Sequence, residues 1–511
     1  MLYSGTQKGH IGKDIIFQYF GAGSQFLSGI IFYLVIVRLF DTEVVGAVSI
    51  FLAIIGLFQA IFTFGLSTAA QHFTSYSIGK GDFTSASSVF YKLLAYGILL
   101  SIIACSTLLF LSTFIVSIFL HSSSYLPIVR TLSIVLVGNI IFGILNGILL
   151  GIQNFRASAI VNIFVWAIYY IAPLFYAYLD RSLFSLVIGW GMGILLGIVI
   201  ELFIILKSLK KKGLTKGTTF DALVIFKYSF PILMSGMISY GAVYIDRFLV
   251  AGLLNLSSLG IYNFSLLISS SLNLLIVPFN NILIPKLSEL YGQNDLISVS
   301  SYVNMSISAL NFIYMPIALG VSALSPFIIE ILGGYNYEGG ATPLAIILII
   351  SSIFISSNIM GISIAAIRKT KVLIYSSSLS LIGNLSISFL MIPKFGIIGA
   401  SFGYASVLAV SFCILFLYGK GIGVVSYDIL LNFKIWLSAI LMFTLVYISV
   451  IITNWNILFL PIYVSIGILI YVFLIRFFRV FKDEKENFIL KIIPFDYKRT
   501  RKFITKLFFT N

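Results

Sequence analysis

Two acids and three arginines stand within or at the edges of long apolar runs of this 511-residue chain, which is otherwise short of charge. Asp246 and Arg247 are neighbours inside YSFPILMSGMISYGAVYIDRFLVAGLLNLSSLGIYNFS, residues 228–265; Glu201 lies in a second run, and Arg38 and Arg130 lie near the ends of two others. A charge in hydrocarbon is costly unless it faces an opposite charge, water or a ligand, so each of these is a candidate for function. Arginine suits a phosphate, because its planar fork makes two charge-assisted bonds and stays protonated. Arg38, Arg130 and Arg247 are therefore candidates for contact with an anionic ligand, with snorkelling to the interface as the simpler account of Arg38 and Arg247. A carboxyl inside a span suits an exchangeable proton or Na+. Asp246 and Glu201 are the candidates for ion coupling or gating, Asp246 first, since Glu201 also reads as an interface residue. Adjacent positions on a helix point about 100° apart, so Asp246 and Arg247 are expected to latch to other helices.

The uncharged polar residues in the apolar runs widen the candidate set. Gln18, Gln25, Gln59, Asn139, Asn146, Asn263, Asn273 and Asn358 are spread over several runs, with Asn162 and Asn384 beside them. Singly, each serves as an interhelical hydrogen-bonding group. Together they favour a hydrated cavity able to take a sugar, with Tyr33, Tyr240 and Tyr244 available for stacking. No P-loop, catalytic triad or metal cluster is present, so no catalytic or metal-binding residue is assigned and no resident cofactor is expected. Cys105 and Cys413 lie in apolar runs and read as small packed hydrophobes. His10, His72 and His121 are expected in loops or at helix ends.

The elements that position these residues follow from composition. Hydrophobic residues make up 59% of the chain and charged ones 10%, with a mean hydropathy of +1.08. Soluble domains carry about 25% charged residues, so this is an all-α polytopic membrane protein. Window hydropathy gives about fourteen spans. They fall at 14–40, 44–69, 88–118, 126–150, 157–179, 183–207, 223–252, 258–284, 299–325, 342–367, 371–392, 396–419, 432–453 and 457–479. Lys and Arg concentrate in alternate connections, from Lys8 and Lys13 through Lys80, Arg156, Lys210–Lys212 and Lys286 to Arg368 and Lys420. That asymmetry predicts both termini in the cytoplasm of a multi-pass cell-membrane protein. The net charge of +15 is read as contact with anionic headgroups rather than nucleic acid. The basic, apolar-flecked tail 480–511 is expected to lie on the inner leaflet.

The two halves match at an offset of about 214 residues. Gly46 falls opposite Gly260, Gly79-Lys80-Gly81-Asp82 opposite Gly292-Gln293-Asn294-Asp295, Gly147 opposite Gly361, and Gly189-Trp190 opposite Gly403-Tyr404. An even number of spans per half makes this a parallel repeat. The expected division is an N-lobe at 1–206, a basic linker at 207–222, a C-lobe at 223–420, two further spans at 421–479 and the tail. Two such lobes can rock between inward-open and outward-open states, which points to a transporter.

These segments also resemble a known family. VRLFDTEVVGAVS is similar to the motif following the first span of polysaccharide exporters, although Phe40 and Asp41-Thr42 replace its usual Leu, Gly and Pro. The 228–265 stretch resembles their seventh span, and PKLSELYGQND and PKFGIIGASFGYA resemble their second-half loop and the entry to span twelve. The match covers roughly residues 10–420. It is to the oligosaccharide-flippase branch of the multidrug/oligosaccharidyl-lipid/polysaccharide exporter superfamily. The resemblance implies two pseudo-symmetric six-helix bundles in a MATE-like V, plus two C-terminal helices. It implies flipping of a lipid-linked oligosaccharide, coupled to Na+ or H+ if coupled at all, alongside glycan polymerase or glycosyltransferase machinery. An ion-coupled multidrug antiporter of the same superfamily is the alternative. A membrane-embedded glycosyltransferase is disfavoured because the connecting loops are short.

Overall fold

The computed structural model describes residues 8–80, 83–180, 182–211, 221–453 and 455–480. Expectations for the linker residues 212–220 and the tail 481–511 lie outside them. Every described element is helical, as a chain in hydrocarbon requires, because a helix satisfies its own backbone donors and acceptors. The chain forms two compact units, Met1–Gly260 and Ile261–Asn511.

The first unit contains α1 (Lys8–Leu39), α2 (Thr42–Phe62), α3 (Leu66–Gly79) and α4 (Phe83–Ile115), which ends in a π turn, Val116–Leu120. It continues with α5 (Leu126–Gly151), α6 (Phe155–Asp180), α7 (Leu183–Lys211) and α8 (Ala222–Leu253). Helix α9 (Leu256–Ser271) begins in this unit and runs on into the second. The second unit continues with α10 (Val277–Gly292), α11 (Leu296–Ala323), α12 (Ser325–Gly333), α13 (Ala341–Phe354) and α14 (Ser356–Ala366). It ends with α15 (Lys371–Phe395), α16 (Ile397–Gly421), α17 (Ile429–Ile452) and α18 (Leu460–Phe477).

Thirteen helical segments among the described residues are long and apolar enough to cross a membrane, and each overlaps an expected span. The Gly23–Leu39 part of α1 is a shorter apolar helix at the place of the remaining span. Three expected spans are interrupted. The run 44–69 breaks where Phe64 and Gly65 take positive φ angles of 52° and 67° between α2 and α3. The run 258–284 breaks at a 3₁₀ turn, Leu272–Leu275, between α9 and α10, and 342–367 breaks at Ile355 between α13 and α14.

Helix α8, which opens the second half of that repeat, packs against α2 and α3 within the first unit. The repeat-related glycines Gly46 and Gly260 lie at one helix crossing. A Cβ on Gly46 would sit 1.8 Å from the Leu256 carbonyl oxygen, and one on Gly260 would sit 2.1 Å from that of Thr42. The hydroxyls of Thr42 and Ser257 share a 2.7 Å hydrogen bond beside the crossing. Gly189 and Gly403, also paired by the repeat, do the same job where α7 meets Pro173 of α6 and α16 meets Ser388 of α15.

In the second unit, α17 is tied to α11 by side-chain amides. Asn311 donates to Asn432 Oδ1 at 2.8 Å and accepts from the Ser356 hydroxyl at 3.0 Å. Asn432 also reaches Ser308 Oγ at 3.3 Å, and the Asp428 backbone N–H donates to Asn304 Oδ1 at 3.0 Å. Helix α18 joins through Tyr471, whose hydroxyl donates to the Phe312 carbonyl at 2.9 Å.

Candidate functional site

The first unit gathers several of the expected residues into one polar cluster. Asn146 on α5, Ser158 and Asn162 on α6 and Glu201 on α7 meet, as those three helices pack together. Asn146 Nδ2 donates to Glu201 Oε1 at 2.8 Å and lies 3.4 Å from Asn162 Oδ1 and 3.5 Å from Ser158 Oγ. Asn162 Nδ2 donates to the same Ser158 oxygen at 3.4 Å. Glu201 is 0% exposed, and among the described residues its Oε2 has no hydrogen-bond partner.

A second locus lies on α8. Asp246 is 0% exposed, while Arg247 is half-buried. The Arg247 guanidinium lies 4.2 Å from the centre of the Tyr244 ring, and its Nη1 donates to the Val243 carbonyl one turn back at 2.7 Å. Tyr244 stacks on Tyr240, with centroids 4.3 Å apart and an interplanar angle of 6°, and the Tyr240 hydroxyl donates to Ala53 of α2 at 2.8 Å. A planar cation is thus held over an aromatic pair that is itself pinned to the neighbouring helix. Stacking of this kind favours arginine over lysine. Arg247→Lys is expected to reduce transport at least several-fold at matched protein levels. Equal rates for the variant and the wild type would show that only the charge at 247 matters.

The other expected residues are scattered. Arg38 and Arg130 are exposed near the ends of α1 and α5. Asn139 is buried and donates back to Val135 of its own helix at 3.0 Å. Asn358 donates to Ile355 at 3.3 Å, at the break before α14. Asn263 is buried, Gln59 is half-buried, and Gln25 and Asn273 are exposed. The Gln18 side chain lies outside the described residues. His72, expected in a loop or at a helix end, sits inside α3 and stacks on Tyr228 with ring centres 4.6 Å apart. Cys413 is exposed and Cys105 partly so, rather than packed away.

Sequence reading missed an apolar groove in the second unit. It has a volume of about 410 Å³ and runs between α11, α17 and α18, lined by Pro316, Gly320, Met442, Val446, Tyr463 and Gly467 among others. Leucine-rich and isoleucine-rich spans carry no local mark of where three helices fail to close, so no sequence signal could have placed it. The amides of Asn311 and Asn432, which tie α17 to α11 beside it, were not among the polar residues singled out from the sequence.

A family model described as polysaccharide biosynthesis protein matches residues 35–341, well over half of the chain. The chain belongs to this family. It is 22% identical over 235 residues to a Shigella flexneri protein named as an O-antigen transporter, a match spanning 46% of this chain and 55% of that relative's length. Among solved structures, it resembles the lipid II flippase MurJ in an inward closed conformation. The TM-score is 0.71 at 19% identity, over 91% of this chain and 99% of that one. An inward-facing MATE family multidrug transporter follows at 0.65 and 14% identity, over 78% and 94%. A MATE transporter of Vibrio cholerae aligns at 0.58 and 14% identity, over 82% and 98%. These likenesses are of fold. The family member described here is a multi-pass, all-helical membrane protein with the MurJ/MATE fold.

Proposed function

We propose that the chain is a flippase. It would carry an oligosaccharide linked to a polyprenyl phosphate or pyrophosphate from the cytoplasmic to the outer leaflet by alternating access, for polysaccharide or glycoconjugate synthesis. The observation that carries this reading is the apolar groove of α11, α17 and α18 in a family member devoted to polysaccharide biosynthesis. A substrate with a long hydrocarbon tail needs such a lining, whereas a compact drug cation does not. The names of two similar proteins, an O-antigen transporter and a lipid II flippase, support it. Arg247 on its tyrosine platform suits the phosphate, and the amides suit the glycan. Both termini would be cytoplasmic, the basic residues would meet anionic headgroups, and glycan polymerase or glycosyltransferase machinery would act beside the protein.

The MATE likeness keeps the cation antiporter as a second reading. Transbilayer movement of a labelled lipid-linked oligosaccharide in proteoliposomes, read by access to an external glycosidase, separates the two. Movement that depends on the protein supports the flippase. Efflux of organic cations with no lipid movement makes the antiporter the better reading. A Cβ on Gly320 has only Met442 Cε within 4 Å, at 3.9 Å, so a larger side chain there points into open groove. Gly320→Phe is expected to lower flipping about tenfold or more while Gly320→Ala stays near wild type. A Phe variant that flips normally would remove the groove from the substrate path.

A further inference from the structure

We infer that Glu201, with Asn146, Ser158 and Asn162, forms a binding site for a monovalent cation, either a proton or Na+. The argument starts from position. Glu201 lies ten residues before the last residue of α7, or about 15 Å along the helix axis. Its side chain is 0% exposed, and Oε1 is satisfied by the Asn146 amide at 2.8 Å. Oε2 is equally buried and, among the described residues, meets no hydrogen-bond donor. An open carboxylate oxygen inside a membrane protein calls for positive charge.

The surroundings supply oxygen but no fixed cation. Ser158 Oγ and Asn162 Oδ1 are hard oxygen donors held within the same hydrogen-bonded cluster, the donor type that alkali cations take. The ionisable residues on the packed helices are Arg130 of α5, Arg156, Tyr169, Tyr170, Tyr176, Tyr178 and Asp180 of α6, and Lys207, Lys210 and Lys211 of α7. Among the described residues, Glu201 takes a hydrogen bond from Asn146 and makes no ion pair with any of these cations. The neutralising charge must then be exchangeable. A purely structural role would need only an acceptor for Asn146, which a glutamine provides equally well.

Occupancy of this site stands on the cluster itself; its coupling to translocation rests on the flippase reading. The test therefore needs no lipid substrate. The melting temperature of the full-length protein in detergent is measured at constant ionic strength, with NaCl replaced by choline chloride and with pH varied from 5.5 to 8.5. If the cation is Na+, the wild type is expected to melt on the order of 5 °C higher in NaCl than in choline. If it is a proton, the rise comes on acidification in choline and NaCl adds nothing. In Glu201→Gln, which keeps the acceptor for Asn146, the relevant dependence disappears. Ser158→Ala removes one oxygen, leaves the carboxyl, and is expected to shift the Na+ concentration or pH at half-effect by at least threefold or half a pH unit. The inference is overturned if wild-type melting ignores both variables. It is also overturned if Glu201→Gln, or Ser158→Ala where the glutamine variant does not fold, keeps the wild-type response unchanged.

Discussion

Gly46→Ala is expected to leave little folded protein, although it adds a single methyl group. That methyl would sit 1.8 Å from the Leu256 carbonyl oxygen and within 2.7 Å of its carbon, both backbone atoms that no rotamer change can move. Overpacking of an ordinary core costs about 1–3 kcal/mol because side chains give way. Here α2 and α9 would have to separate, which breaks the Thr42–Ser257 hydrogen bond as well. A melting temperature lower by about 6 °C or more is expected, with Gly260→Ala equally damaging. Gly236→Ala on α8 is the control, since nothing lies within 4 Å of its Cβ, and alanine favours the helix. A Gly46→Ala protein that melts with the wild type would mean that the two helices do not cross as described.

Asp246→Asn should separate transport from folding. The side chain is 0% exposed in the C-terminal third of an apolar helix that packs on α2 and α3, and it neighbours Arg247, which is held on an aromatic platform. A carboxylate in that setting costs several kcal/mol to desolvate, which packing alone would not select. Asparagine matches its volume and keeps one acceptor oxygen. Expression and melting temperature should remain close to wild type while flipping falls at least tenfold. Wild-type rates at matched protein levels would make Asp246 a structural residue.

The apolar spans were legible because hydrophobicity and length alone define them. Their interruptions were not, because a run such as 44–69 is apolar on every side and gives no periodicity from which to read a break. Gly65 was the visible hint, yet Phe64 also takes a left-handed conformation, and nothing in its type announces that. The repeat did point to Gly46 and Gly260 as a pair, although it could not say that they touch. Glu201 and Asn146 were both singled out, but they are 55 positions apart and only the packing of α5 against α7 brings them within 2.8 Å. Conversely Arg38 and Arg130, equally conspicuous as charges, end at exposed helix termini.

The amide ladder between α11 and α17 fixes a depth. Two smooth hydrocarbon-faced helices in a bilayer can slide along each other at little cost, because lipid and leucine are alike in polarity. Hydrogen bonds from Asn311 and Asn432, and from the Asp428 backbone N–H to Asn304 Oδ1, exist at one vertical register only. A slip of one turn, about 5.4 Å, would strand all of them in hydrocarbon. These few polar contacts act as a detent. They hold α17 against sliding up or down along α11, and so fix the depth of the groove beside it.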